Sequence, residues 1–201
     1  MYGSKILFAH RWRLINLRLE NNKPCRMMGL FFLKLLYRTD NMEYKEGYVY
    51  HIKDSYFEKA NDDKLMKNKE NGNFRPTFYC LKDEKTSILW VVPMSSRVEK
   101  YKTIADNQVA RYGESLGIYI GTYDGKPSAF LVQNMFPILE NYLDHIHTRN
   151  GNPVPVKASI KQEVKKRINK ARQMVKKGKK VVFPDVIRLE KLMLDEVNKD
   201  R

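Results

Sequence analysis

Two adjacent serines, Ser95 and Ser96, come directly after an apolar run that ends in a proline. Arg75 stands at the start of an earlier apolar segment, and a short turn separates the two segments. If they pair as a hairpin over 75–93, its open ends lie side by side and Arg75 comes close to the serines. Lys100, a few residues further on, can fold back over the same spot. A guanidinium, two hydroxyls and an ammonium would then converge, which suits a phosphodiester.

An RNA phosphodiester carries its own nucleophile, because the ribose 2′-hydroxyl lies beside the phosphorus. Its attack leaves a 2′,3′-cyclic phosphate and a free 5′-hydroxyl, so the protein has only to align the groups, stabilise charge and move protons. We therefore predict Arg75, Ser95, Ser96 and Lys100 as catalytic residues of a ribonuclease that needs no metal and no cofactor. The residues alone equally allow a plainer alternative, in which Arg75 forms a salt bridge and the serines form a polar turn.

The chain is strongly basic, with 38 Lys and Arg against 23 Asp and Glu and a formal net charge of +15. Such an excess indicates an acidic partner: nucleic acid, an anionic membrane or an acidic protein. Much of it lies in the segment 157–180, where Glu163 is the only acid. This concentration favours a polyanion-binding helix, and a solvated helix face is the alternative. The predicted RNA-binding residues are Arg97, Tyr101, Lys161, Lys165, Lys166, Arg167, Lys170, Arg172, Lys176 and Lys177.

Hairpins must position these residues. Apolar alternation predicts strands at 48–53, 75–82, 86–93, 117–123 and 128–134. Turn residues at 83–85 and at Asp124-Gly125 join four of these strands in pairs. Helices are predicted in part of 97–113, in 135–147, in 159–178 and in 185–197. Contiguous hairpins without βαβ units favour an α+β protein: a compact, partly closed antiparallel β-barrel with inserted and C-terminal helices.

Other chemistries are poorly supported. His145 and His147 fall on the predicted helix 135–147, where residues two apart do not share a face, so a metal pair is not expected. His51 is interpreted as a satisfied or exposed histidine. The segment 113–117, GESLG, matches GxSxG as a string, but a predicted helix precedes it and a strand follows it. That order is the reverse of a nucleophile elbow, so we predict a loop.

The first 41 residues differ from the rest, since they are basic and show no clean strand or helix period. We predict 1–41 as a basic N-terminal extension outside the native domain and 42–201 as one domain. A flexible arm or a helix packed on the core are the alternatives. The two cysteines form no CxxC motif and fit a cytoplasmic protein, and no segment has the roughly 18 apolar residues of a membrane helix.

Four short motifs in order resemble the toxins of type III toxin–antitoxin systems. They are NFRPTFYC, WVVPMSSRVEKYK, FLVQNMFPI and VVFPD, beginning at residues 73, 90, 130 and 181. The nearest branch is the CptIN family, which is related to ToxN and AbiQ. The resemblance covers about residues 45–197 and leaves 1–41 outside.

This resemblance implies a MazF-like, SH3-like fold and a metal-independent endoribonuclease toxin that cuts mRNA and its own repeat antitoxin RNA precursor. The processed RNA, folded as a pseudoknot, would inhibit the toxin in a closed ring of alternating protein and RNA. The family pattern places a basic residue where Arg75 stands and a Thr/Ser-Ser pair where Ser95 and Ser96 stand. A family lysine follows that pair, and its equivalent here is Arg97 or Lys100.

Two other functions remain open from the sequence. The chain could be an RNA-binding module without catalysis, which needs the charge but not an aligned site. It could also be a MazF-type ribonuclease toxin that a protein antitoxin neutralises.

Overall fold

A computed structural model describes residues 44–70 and 72–199 of the chain. The predicted extension 1–41 lies outside the described residues. Within them, no helix is long and apolar enough to cross a membrane.

Eleven strands and four α-helices make up the described part. The strands are β1 (Val49–Ile52), β2 (Lys69–Glu70), β3 (Asn73–Phe74), β4 (Thr77–Lys82), β5 (Leu89–Ser95), β6 (Tyr119–Tyr123), β7 (Lys126–Phe130), β8 (Phe136–Ile138), β9 (Leu143–Ile146), β10 (Thr148–Arg149) and β11 (Asn152–Pro153). The helices are α1 (Asp54–Ala60), α2 (Val98–Tyr112), α3 (Ala158–Lys176) and α4 (Val186–Lys199). Short 3₁₀ turns occupy Val132–Asn134 and Glu140–Tyr142.

One antiparallel sheet of seven strands forms the centre of the fold. Its order is β6-β7-β5-β4-β1-β9, and β8 also pairs with β5. The α+β class with an antiparallel sheet is therefore confirmed. The edge strands β6 and β9 do not pair with each other among the described residues, so the sheet is open. The partly closed barrel stays a prediction.

Both predicted hairpins are present. Strands β4 and β5 pair from Thr77 opposite Pro93 to Lys82 opposite Leu89. Strands β6 and β7 meet at Asp124 and Gly125, whose φ angles of 49° and 74° are those of a tight hairpin turn.

The predicted helix 135–147 is wrong. Strand β8, a 3₁₀ turn and strand β9 occupy this segment instead. Pro137 lies opposite Trp90 on the central strand, and the apolar residues around it are fully or almost fully buried there. Pairing with a distant strand therefore outweighs the local helical pattern, which is the usual limit of a periodicity argument.

Apolar stripes on the two C-terminal helices pack on the sheet. Ile160, Val164 and Ile168 of α3 are buried as their spacing predicts, and Gly178 in a left-handed conformation follows the end of this helix. On α4, Val186, Leu189 and Met193 are buried in the same core. A smaller cluster lies under α2 and contains Tyr101, Ala105, Ile118, Ala129 and Leu131.

Arg172 of α3 joins the helices to the central hairpin. Its Nη2 lies 3.2 Å from Asp83 in the β4–β5 turn and 3.3 Å from Glu190 on α4. Its guanidinium lies 4.4 Å from the ring centre of Trp90, and only 16% of the side chain is exposed. Burial raises the pKa of Asp83, but the hydrogen bond and charge of Arg172 outweigh it and hold that pKa below its usual range.

Arg172→Met should destabilise the fold by roughly 2–4 kcal/mol, somewhat less than the loss expected for breaking a fully buried ion pair. The substitution keeps the aliphatic volume but leaves two carboxylates facing each other. Urea unfolding measures the change. Lys176→Met, one turn further along the same helix and exposed, is the control and should change stability by less than about 0.5 kcal/mol. Equal losses in the two variants would contradict this role for Arg172.

Candidate functional site

The open ends of β4 and β5 bring Arg75 to the serine pair. Arg75 precedes β4, and Ser95 is the last residue of β5. The backbone N–H of Met94 donates to Pro76 O at 2.9 Å, and Arg75 Nη1 reaches Met94 O at 3.5 Å. The guanidinium therefore lies beside the strand end that carries both serines. We call this end of the hairpin, from Arg75 to Ser96, the rim.

Backbone carbonyls hold Arg75 in place. Its N–H donates to Asn68 O at 2.6 Å, and its Nε donates to Lys67 O at 3.1 Å. The side chain of the buried Asn68 in turn donates to Ile52 O at 2.8 Å and to Asp54 Oδ1 at 2.7 Å. The loop before β4 is thus tied to the end of β1, which restricts where the guanidinium can point.

The two serines have different environments. Ser95 is only 8% exposed, lies opposite Ala129 on β7, and its Oγ accepts a hydrogen bond from the Arg97 N–H at 3.2 Å. Ser96 is exposed, and its carbonyl accepts from the Val98 N–H at 2.8 Å as α2 begins. Ser95 therefore shapes the strand-to-helix turn, whereas Ser96 presents its hydroxyl to solvent.

The cations after the serines lie at the start of α2: Arg97 directly precedes the helix and Lys100 is in its first turn. Arg97 and Lys100 are exposed, and the Lys100 ammonium lies 5.7 Å from the centre of the Tyr101 ring. Tyr101 itself is 9% exposed and packs in the small cluster under α2. Of these three residues, Arg97 and Lys100 are accessible, whereas the Tyr101 ring belongs to the core.

Most predicted RNA-binding cations of α3 already contact acidic side chains. Lys161 and Lys165 lie 2.9 Å and 3.5 Å from Glu46. Burial raises the pKa of Glu46, but these lysines lower it by more and leave it below its usual range. Arg167 pairs with Glu163 at 3.0 Å, and the partner of Lys170 is Glu114.

The remaining cations of this helix are differently placed. Arg167 also donates to Ile118 O at 3.2 Å. Arg172 pairs with Asp83 and Glu190, as described for the fold. Lys166, Lys176 and Lys177 are exposed and form no ion pair with any residue that the structure describes. The last two continue into Lys179 and Lys180 beyond the helix. The accessible positive charge is therefore strongest at the C-terminal end of α3.

Three histidines meet near the rim. His51 stacks on His145 with ring centres 4.4 Å apart and lies 6.1 Å from His147. Its other neighbour is the edge of Phe74, the residue before Arg75, at 5.9 Å. His145 and His147 share a face because they lie on and just after strand β9 rather than on the predicted helix. An alternating HxH on a strand is the signal that would have revealed them.

The environment of His51 disfavours its charged form. Burial lowers its pKa most, and the charges of His145 and His147 lower it further, to about 4. Asp144 opposes the shift. The Nδ1 of His51 is buried and has no hydrogen-bond partner among the residues that the structure describes, so the expectation of a satisfied or exposed histidine does not hold. Among the described residues no group of three or more His, Cys, Asp or Glu could hold a metal ion.

The GESLG segment is a loop, as predicted. Gly113 ends α2 in a left-handed conformation with φ of 76°, and β6 follows at Tyr119. Ser115 is buried, and its hydroxyl donates to Gln108 Oε1 at 2.8 Å rather than to a histidine.

The fold is shared with a solved ribonuclease. It is similar to that of AbiQ, a lactococcal anti-phage endoribonuclease belonging to the type III toxin–antitoxin system. The TM-score is 0.54 at 13% sequence identity, over 77% of this chain and 98% of AbiQ. No protein-family model and no curated protein matches the chain. The likeness establishes a related fold, and membership of the CptIN family stays a prediction.

Acid should destabilise the fold through His51. Since its folded pKa of about 4 lies below the ordinary 6.5, the unfolded chain binds the proton more readily between these values. Stability is therefore full above pH 6.5 and falls as the pH drops towards 4. His51→Phe keeps the stacking but removes the proton, so it should lose less stability between pH 7.5 and 5. Thermal melting of the parent and the variant at both pH values measures the two losses of stability. Subtracting one loss from the other cancels the contribution of the carboxylates, which titrate in both proteins. Parallel losses would contradict this role of His51.

Proposed function

We propose that this chain is a metal-independent endoribonuclease toxin of a type III toxin–antitoxin system. The observation that carries the proposal is the placement of Arg75 against the strand end that bears Ser95 and Ser96. The shared fold with AbiQ supports it, because that protein is an endoribonuclease of such a system. The net charge of +15 supports a polyanionic substrate.

The proposed reaction is an internal transfer. The 2′-oxygen of the ribose forms a bond to the phosphorus as its proton leaves, and the bond from phosphorus to the 5′-oxygen breaks. A proton then reaches the 5′-oxygen, so the products are a 2′,3′-cyclic phosphate and a 5′-hydroxyl, and no water is consumed.

Each rim residue has a role in this proposal. The Arg75 guanidinium binds the nonbridging phosphate oxygens, and backbone carbonyls hold it in advance so that little reorganisation is needed. The exposed Ser96 hydroxyl orients the ribose or phosphate. Lys100, or Arg97 beside it, stabilises the growing negative charge. Ser95 positions the turn that carries these groups, and its own hydroxyl is partly committed to the Arg97 N–H.

We also propose that the chain, as a cytoplasmic toxin, cuts mRNA and its own repeat antitoxin precursor, and that the processed RNA pseudoknot inhibits it in a closed ring. The exposed lysines at the C-terminal end of α3 would bind the phosphates of that RNA. Lysines already paired with acidic side chains would contribute less, because their charge is partly neutralised before RNA arrives.

Arg75→Gln and Ser96→Ala should each slow RNA cleavage, the arginine variant by about 10²–10³-fold, as when one transition-state donor is removed. The measurement is single-turnover cleavage of labelled RNA in EDTA, with the 2′,3′-cyclic phosphate identified on the fragments. Ser128→Ala on β7 is the serine control and should cut at the parent rate. Parental cleavage rates in both Arg75→Gln and Ser96→Ala would contradict the site assignment. RNA binding without any cleavage by the parent would favour a non-catalytic module.

The double variant Lys176→Gln with Lys177→Gln should weaken RNA binding and make its salt dependence shallower. The slope of log K against log salt should change by about 1.4, because each phosphate that a lysine neutralises on single-stranded RNA adds about 0.7. Fluorescence anisotropy across a salt series measures it. Lys59→Gln with Lys85→Gln removes the same net charge elsewhere, so only the first pair should change the slope. An equal change in both would show that net charge, not this surface, sets the affinity.

A further inference from the structure

A groove of about 470 Å³ lies between the C-terminal ends of α2 and α3 and the segment 179–183. Tyr112 from α2 and Phe183 line it, and they are 67% and 55% exposed. Large aromatic side chains usually bury their surface, so two in solvent around one concavity indicate a partner. We call this feature the α2–α3 groove.

Side-chain amides line the same groove. Ser115 Oγ donates to Gln108 Oε1 at 2.8 Å, and Gln108 Nε2 faces Gln133 Oε1 at 3.5 Å. In the structure the Gln108 amide turns its oxygen to Ser115 and its nitrogen to Gln133, and Ser115 Oγ also lies 3.3 Å from Ile118 O. The Nε2 of Gln133 is then left without a hydrogen-bond partner among the described residues. It offers an N–H beside a carbonyl oxygen, which is the pairing that the edge of a nucleobase can satisfy.

The backbone ties the aromatic wall to these amides. The Phe183 N–H donates to Gln133 O at 2.8 Å, and the Gln133 N–H donates to Gly117 O at 2.8 Å. A Cβ at position 117 would lie 3.0 Å from Gln133 Cβ and Oε1. Glycine at 117 therefore leaves the space that Gln133 needs to sit where it does.

The charge around the groove is positive. Lys179 and Lys180 are exposed and line it, and Lys176 and Lys177 precede them. The acidic side chain in the lining, Glu114, is paired with Lys170, and that hydrogen bond lowers its pKa. An apolar peptide would use the rings but leave the amide and the ammonium groups unmatched, whereas a nucleotide uses all three.

We propose that the α2–α3 groove binds an unpaired nucleotide of the RNA. The base stacks on Tyr112 and Phe183, its edge meets the Gln133 amide, and its phosphates contact Lys179 and Lys180. The inference rests on the proposed function only in taking RNA as the ligand. Helix α2 has 15 residues and is about 22 Å long, with the rim at its start and Tyr112 at its end. The nucleotide is therefore well separated from the phosphate that is cut.

Tyr112→Ala and Phe183→Ala should each weaken RNA binding by about 5- to 150-fold, which corresponds to the ~1–3 kcal/mol of one stacked base. Tyr112→Trp and Phe183→Tyr should restore it. The probe is a fluorescent single-stranded 2′-O-methyl RNA, which cannot be cut by 2′-oxygen attack, with 2-aminopurine in place of adenines to report stacking. Ile187→Ala, an equally exposed apolar residue at 58% exposure on α4, is the control and should bind like the parent.

Cleavage of unmodified RNA separates the inference from the proposed function. If the groove variants lose affinity for RNA but cleave at the parent rate when RNA is saturating, the results support both the groove and the proposed function. Parental affinity in both alanine variants, with cleavage intact, overturns the groove and leaves the function. Loss of affinity in the variants of a parent that never cleaves supports the groove and overturns the enzyme. A change in self-association with RNA affinity unchanged would show an apolar protein partner and also overturn the inference.

Discussion

Pairing along both edges of β5 is the constraint on which the rest of the fold depends. All seven of its residues are buried. One edge pairs with β4, and the other changes partner, from β8 at Leu89–Val91 to β7 at Met94 and Ser95. Pro93 lies at this change, where its carbonyl accepts from the Leu131 N–H. Proline has no backbone N–H. In an antiparallel strand the N–H and the carbonyl of one residue point to the same edge, so the N–H that Pro93 lacks would point to the edge where β5 changes from β8 to β7. No regular ladder of hydrogen bonds is interrupted there.

The rim follows from this arrangement. With Thr77 opposite Pro93, the chain before β4 must pass beside the chain after β5, whatever the side chains are. Backbone register thus brings Arg75 beside the end of β5, directly before Ser96. The three side chains have different environments. Backbone carbonyls hold the Arg75 guanidinium, the Ser95 hydroxyl supports the turn, and the Ser96 hydroxyl stays exposed. Preorganisation of this kind is what a site for charge stabilisation requires.

Local patterns predicted the parts of the fold that local physics determines. The hairpins follow from turn residues beside alternating apolar residues, and the buried stripe of Ile160, Val164 and Ile168 follows from helical spacing. The placement of Arg75 beside the serines could be predicted for the same reason. What the sequence did not predict depends on distant partners: Pro137 pairs with Trp90, and that pairing turns a predicted helix into strands.

The candidate site was predictable to a similar degree. Residue type marks Lys161 and Lys165 as cations, but only the fold brings Glu46 to them, so their charge is less available than the sequence indicates. The three histidines and the α2–α3 groove come together from separate segments, and no spacing in the sequence relates Tyr112 to Phe183.

Helix α2 fixes the distance between the rim and the α2–α3 groove. The cations Arg97 and Lys100 lie at its start, and its last residue is Tyr112 of the groove. Because a helix is stiff over this length, the rim and the groove cannot approach each other. Under the proposed function, an RNA strand that occupies both sites is held at two points, so binding at the groove adds affinity without altering the chemistry at the rim. A long RNA can span both sites, whereas a short fragment occupies one. Such an arrangement would bind folded antitoxin RNA and long substrates more tightly than it binds short cleavage products.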